Sequence, residues 1–139
     1  MQVLASVLVT ASAAIVGVLG ALHLLYTFHG TKLLPRESGV RETMESSGLE
    51  LTRQTTVWRA WIGFNASHSL GLLSFALIYA WLAIAAPGVL FSSGFLRLFG
   101  LAVLVAYVAL AKLYFFRIPY RGVVLATALY GAGVILALV

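Results

Sequence analysis

The sequence predicts an all-α fold, a transmembrane four-helix bundle with antiparallel neighbours, and three observations predict it. Of 139 residues, 62% are hydrophobic and 9% charged, where soluble domains carry about a quarter charged residues. Four apolar stretches, each near or beyond the ~20 residues that cross a bilayer as helix, follow one another with charge only near their ends. All four acidic residues, Glu37, Glu42, Glu45 and Glu50, gather between Gly30 and Thr56. Spanning strands are excluded, because an open sheet of this length leaves unpaired backbone groups in hydrocarbon.

The first span covers about 3–28 and contains no charge. No Lys or Arg precedes it and its apolar run exceeds the ~7–15 residues of a secretion-signal core, so it reads as a retained helix. The loop at about 30–56 is the one substantial water-exposed segment. Pro35 stops a straight continuation of the first helix. Val40, Met44, Leu49 and Leu51 are spaced for short amphipathic helical pieces on the membrane surface, broken at Ser46-Ser47-Gly48. The second span, 57–86, ends at Pro87-Gly88, and the third covers 95–114. Arg117, Pro119, Tyr120, Arg121 and Gly122 predict a tight basic turn before the fourth span at 123–139. Short second and third connections make the joined helices antiparallel neighbours. Ala13, Gly17 and Ala21 in the first helix, and Thr127 and Gly131 in the fourth, offer stripes for close approach. At ~20 residues per crossing the chain makes a single integral membrane domain, 1–139, with nothing left for a soluble one.

Charge sets the expected orientation. The net charge is +5, and the first loop with its margins holds Lys32, Arg36, Arg41, Arg53 and Arg59. The third holds Lys112, Arg117 and Arg121, and the second only Arg97. Loops one and three share a side, so the positive-inside rule puts them in the cytoplasm and both termini outside, as in a bacterial inner-membrane protein. Basic residues beside apolar spans meet lipid headgroups, and no basic stripe with stacking aromatics points to nucleic acid. Membrane lipids are therefore the expected contacts. The chain has no cysteine, which removes disulfides, thiolate metal sites and cysteine nucleophiles.

The polar residues within the spans carry what functional signal there is. In the second span Trp58, Trp61, Asn65, His68 and Ser69 fall in one stripe about 100° wide. Asn65 and His68 lie roughly 7 and 12 Å beyond Ala60, too deep for short side chains to reach headgroups, so they need internal partners. The first helix offers His23, Tyr26 and Thr27 near its end, the third Tyr107 and Lys112, the fourth Thr127 and Tyr130. Their convergence predicts a polar pocket in the cytoplasmic half, since polar groups in membranes are costly and mark sites. Interfacial belt duty for the tryptophans, snorkelling of Lys112 and plain interhelical hydrogen bonding of Asn65 and His68 are the structural alternatives.

Three cofactor readings follow from these residues. His23 and His68 on different helices are candidate axial ligands of a haem b. His23, His29 and His68 make a poor metal set, because His29 lies about 120° around the helix from His23 and no buried carboxylate completes it. A quinone-like or lipid-like molecule needs only a hydrogen-bonding His, Asn or Tyr and an aromatic wall. Enzymatic use of His68 as acid/base on a lipid or isoprenoid substrate lacks a carboxylate to orient the imidazole, and no Ser-His-Asp set, HExxH or phosphate loop is present.

The runs His23-Leu-Leu-Tyr-Thr-Phe-His-Gly-Thr-Lys-Leu-Leu-Pro-Arg36 and Thr55-Thr-Val-Trp-Arg-Ala-Trp-Ile-Gly-Phe-Asn-Ala-Ser-His-Ser-Leu-Gly71 resemble a family of uncharacterised small bacterial four-span integral membrane proteins. The resemblance covers about the first half of the chain. It implies the fold and the bacterial membrane and carries no catalytic role to any residue. The leading expectation is a non-catalytic protein, an accessory subunit of a larger membrane assembly or a small homo-oligomer, that recognises a lipid-like or quinone-like molecule.

Overall fold

A computed structural model describes residues 1–139. It is all-α, with six helices: α1 (Gln2–Phe28), α2 (Val40–Ser46), α3 (Val57–Ala85), α4 (Pro87–Ser92), α5 (Gly94–Tyr114) and α6 (Arg117–Leu136). A small hairpin, β1 (Gly48–Leu49) and β2 (Thr52–Thr56), sits between α2 and α3. Helices α1, α3, α5 and α6 are long and apolar enough to cross a membrane, which makes this a multi-pass membrane protein. Their outward side chains agree: Val3, Leu77, Ile84, Leu98 and Leu113 are all mostly exposed, a liability in water and a match for lipid tails.

Three local expectations change. The Arg117–Gly122 stretch is not a turn but the start of α6, and the connection shrinks to Phe115 and Phe116 in extended conformation. Pro119 is tolerated there because N–H groups of a first helical turn have no intrahelical acceptor to lose. Pro87 both ends α3 and opens the short helix α4 from its first position, the place where its fixed φ suits a helix. Leu49 and Leu51 belong to the hairpin, not to a second amphipathic helix. Thr52, Thr55 and Thr56 are β-branched, which favours extended backbone after Gly48, and Gly48 pairs with Thr56 and Leu49 with Thr52. The predicted break at Ser46-Ser47-Gly48 coincides with the end of α2 at Ser46.

The chain divides into two compact units, Met1–Leu19 with Leu72–Val139, and Gly20–Gly71. In the first, Ala5, Val9, Ala13 and Val16 recur at helical spacing and form the buried face of α1. Ser12 on that face donates to the carbonyl of Ala126 in α6 at 2.7 Å. Gly17 lets α1 approach Ala76 of α3, and Gly133 lets α6 approach the backbone of Ala5. Gly131, expected on the close-contact stripe, has nothing near it. The core continues through Phe75 and Tyr79 of α3, Leu90 of α4, Leu104 of α5 and Tyr130 of α6.

The second unit holds the end of α1, the loop with α2 and the hairpin, and the first half of α3. Its loop folds back on the start of α3 through backbone and side chain alike. Val57 N–H donates to the Ser47 carbonyl at 2.9 Å, and the Arg41 guanidinium lies 5.0 Å from the ring centre of Trp58.

Candidate functional site

The second unit brings together most of the residues singled out from sequence. His23 of α1 and Asn65 of α3 are joined by a 2.9 Å hydrogen bond between Nε2 and Oδ1. Asn65 Nδ2 donates to the Trp61 carbonyl one turn back at 2.8 Å, which fixes Oδ1 as the acceptor and His23 Nε2 as the donor. The His68 ring meets that of His23 edge to face, with centroids 5.2 Å apart and planes at 68°.

The hydroxyls around this cluster are already committed. Thr27 Oγ1 donates to the His23 carbonyl at 2.8 Å and Ser69 Oγ to the Asn65 carbonyl at 2.9 Å, the back-bonding that buries a Ser or Thr cheaply in a helix. Both residues are buried, while His23, Asn65 and His68 are half-buried. The result is a polar cluster joining two spans, one imidazole held by Asn65 and a second resting on it.

The aromatic residues form a separate layer toward the loop. Trp58 and Trp61 stack at 5.0 Å with nearly parallel rings, and Arg41 caps Trp58 while its Nε donates to Glu45 at 2.7 Å. Sequence reasoning missed this Arg41 contact. Its available signal was the Arg41/Glu45 spacing of four on a short helix, which orients the guanidinium but does not say what it covers. Tyr26 is engaged by Lys32, whose Nζ lies 3.1 Å from the phenol oxygen and 4.5 Å from the ring centre. Exchanging Arg41 for Gln removes the cation–π contact and is expected to speed hydrogen exchange of the Val40–Ser46 amides several-fold, in line with the ~0.5–1 kcal/mol of an exposed pair. Unchanged exchange there would mean that α2 is held by the backbone alone.

Tyr130 and Lys112, grouped with these residues by sequence, belong to the first unit. The Tyr130 hydroxyl donates to the carbonyls of Leu96 and Arg97, 3.2 Å from each, where the Tyr79 hydroxyl also donates to Leu96 at 2.8 Å. Lys112 is exposed in the last turn of α5, fifteen residues or ~22 Å along the helix from Arg97. Tyr130 therefore does not share a cluster with Lys112. The reason is the start of α6: it begins at Arg117 instead of Val123, which carries Tyr130 six residues, ~9 Å, further from that end.

The ring geometry does not fit a haem. A bis-imidazole haem lies between two rings whose nitrogens aim at one iron from opposite sides. Here the rings meet edge to face with their centroids 5.2 Å apart, and His23 Nε2 is turned to Asn65. No three potential metal ligands assemble. The groove of about 610 Å³ in the first unit, lined by Ser6, Thr10 and Ala14 of α1 and Ala83, Ile84 and Pro87 beside it, contains none of these residues.

No protein-family model, curated protein or solved structure matches the chain.

Proposed function

We propose that this is a non-catalytic bacterial inner-membrane protein, an accessory subunit or small homo-oligomer, that recognises the polar head of a lipid-like or quinone-like molecule beside His23, Asn65 and His68. The observation that supports it is the hydrogen-bonded His23–Asn65 pair with His68 resting on it, inside two spans. An interhelical Asn–His bond also serves packing, but that bond does not call for the second imidazole resting on the first. The stacked Trp58 and Trp61 supply the aromatic wall. The helices form an antiparallel four-helix bundle, with loops one and three in the cytoplasm and both termini outside, because eight of nine basic residues fall on one side. Membership of the small four-span bacterial family is part of the same reading. A lipid-processing enzyme using His68 is the weaker alternative, since the cluster holds no carboxylate to orient or recharge an imidazole.

Native mass spectrometry of the protein extracted gently from its own membranes tests this. The expected spectrum shows a retained small amphiphile, and either partner subunits or a homo-oligomer. Asn65→Ala leaves the His23 N–H without its acceptor, and is expected to lose the amphiphile while costing ~1–2 kcal/mol of stability. An intact, ligand-free protomer from wild type, with Asn65→Ala indistinguishable from it, would sink the reading. Turnover of a lipid substrate abolished by His68→Ala would move the protein to the enzyme class.

A further inference from the structure

The hydrogen-bond inventory of the cluster narrows the ligand. This step rests on the binding role proposed above. Both ends of the Asn65 amide are engaged, by the Trp61 carbonyl and by His23 Nε2–H. The Thr27 and Ser69 protons go to backbone carbonyls. In its neutral form an imidazole carries one proton, and with Nε2 as the donor that form of His23 presents a lone pair at Nδ1. That nitrogen has no hydrogen-bond partner in the structure, and the residue is half-buried. The open group that His23 offers is therefore an acceptor.

We propose that the ligand presents a hydroxyl, donated to His23 Nδ1, and is thus a lipid alcohol or quinol. A carbonyl or ether oxygen brings a second lone pair toward the first and forms no bond. An ionised phosphate likewise offers only acceptor oxygens to that lone pair and forms no bond with it. A hydroxyl satisfies the imidazole lone pair and leaves the His23–Asn65 bond in place.

The test uses the full chain in phosphatidylcholine nanodiscs, with Trp58 and Trp61 fluorescence as the binding signal and the ¹⁵N shift of His23 Nδ1 as the local one. The probes are a long-chain polyprenol, its methyl ether, the corresponding polyprenyl phosphate, and an isoprenoid naphthoquinol with its quinone. The free alcohols are expected to bind about tenfold more tightly than the capped or oxidised forms, the worth of one hydrogen bond, and to move the Nδ1 resonance. Whichever of polyprenol and quinol binds better identifies the source of the hydroxyl. His23→Gln supplies a donor for Asn65 and lacks the Nδ1 acceptor, so it is expected to fold with an unchanged thermal midpoint and lose the preference. Equal binding of alcohol and ether, or a preference that survives His23→Gln, overturns the hydroxyl assignment and leaves the site standing. Binding of none of the probes overturns both.

Discussion

Replacing Gly100 by Ala is expected to be the most damaging single-methyl change in the protein. A Cβ at this position would fall on the Tyr130 hydroxyl, 2.6 Å from its Cζ and 2.7 Å from Cε1 of Tyr79. Neither ring can retreat. Tyr130 is fully buried and Tyr79 nearly so, and both hydroxyls are tied to the Leu96 carbonyl. Phe75 stacks on Tyr79 at 4.5 Å and Tyr130 meets it edge-on at 5.5 Å, which closes the remaining directions. Overpacking of this kind costs about 2–3 kcal/mol, on the order of 10 °C in thermal midpoint for a chain this size. The measurement is thermal unfolding in detergent, with Gly63→Ala as the control, since nothing lies near a Cβ there. Adding Tyr130→Leu should recover part of the loss, because the double change removes the clashing ring, giving a non-additive cycle. A midpoint within a degree or two of wild type would mean that α5 and α6 do not meet at Gly100.

What was legible in the sequence follows the strength of each physical signal. Helix α1 and the spans of α3 and α5 were located to within a residue or two, because an uninterrupted apolar run closed by a loop has one solution in lipid. The start of α6 was missed by six residues. Arg117, Pro119 and Arg121 look like a turn by composition, yet Pro is acceptable within the first helical turn, so composition and backbone chemistry point different ways. The hairpin was missed for a similar reason: Leu49 and Leu51 fit a helical spacing, while the neighbouring threonines favour extended backbone.

The candidate site was legible on α3 and only partly beyond it. Helical phase alone aligns Trp61, Asn65 and His68, and the need to satisfy Asn65 within the bilayer pointed to a polar partner on α1, which His23 provides at 2.9 Å. Phase gives no depth, however, and an error in where a helix begins becomes an error in depth of 1.5 Å per residue. Tyr130 shows the consequence: it was expected in the same half as Lys112, and its hydroxyl lies at the opposite end of α5 from that lysine. The cation–π contact of Arg41 with Trp58 depends on how the loop returns to α3, which no local spacing encodes.

Two glycines two residues apart in α6 separate close approach from mere smallness. Sequence favours Gly131, by its place four residues after Thr127, whereas the structure puts the crossing with α1 at Gly133. A Cβ on Gly133 would stand 2.9 Å from the carbonyl oxygen of Ala5 and 3.0 Å from Cγ2 of Val9. A backbone oxygen cannot swing aside as a side chain can, so α1 and α6 must part. Parting them also strains the Ser12 bond to the Ala126 carbonyl on the same pair of helices. Gly133→Ala is therefore expected to cost about 1–3 kcal/mol, although Ala is the better helix former. Gly131→Ala meets open space and should be neutral or stabilise by up to ~1 kcal/mol, the propensity gain alone. Thermal midpoints of the two variants in one detergent decide the matter, since any common effect of the added methyl cancels between them. The reverse order would place the α1–α6 crossing on the Gly131 face, and with it the register of the buried Ala5, Val9 and Ser12 against α6 would be wrong.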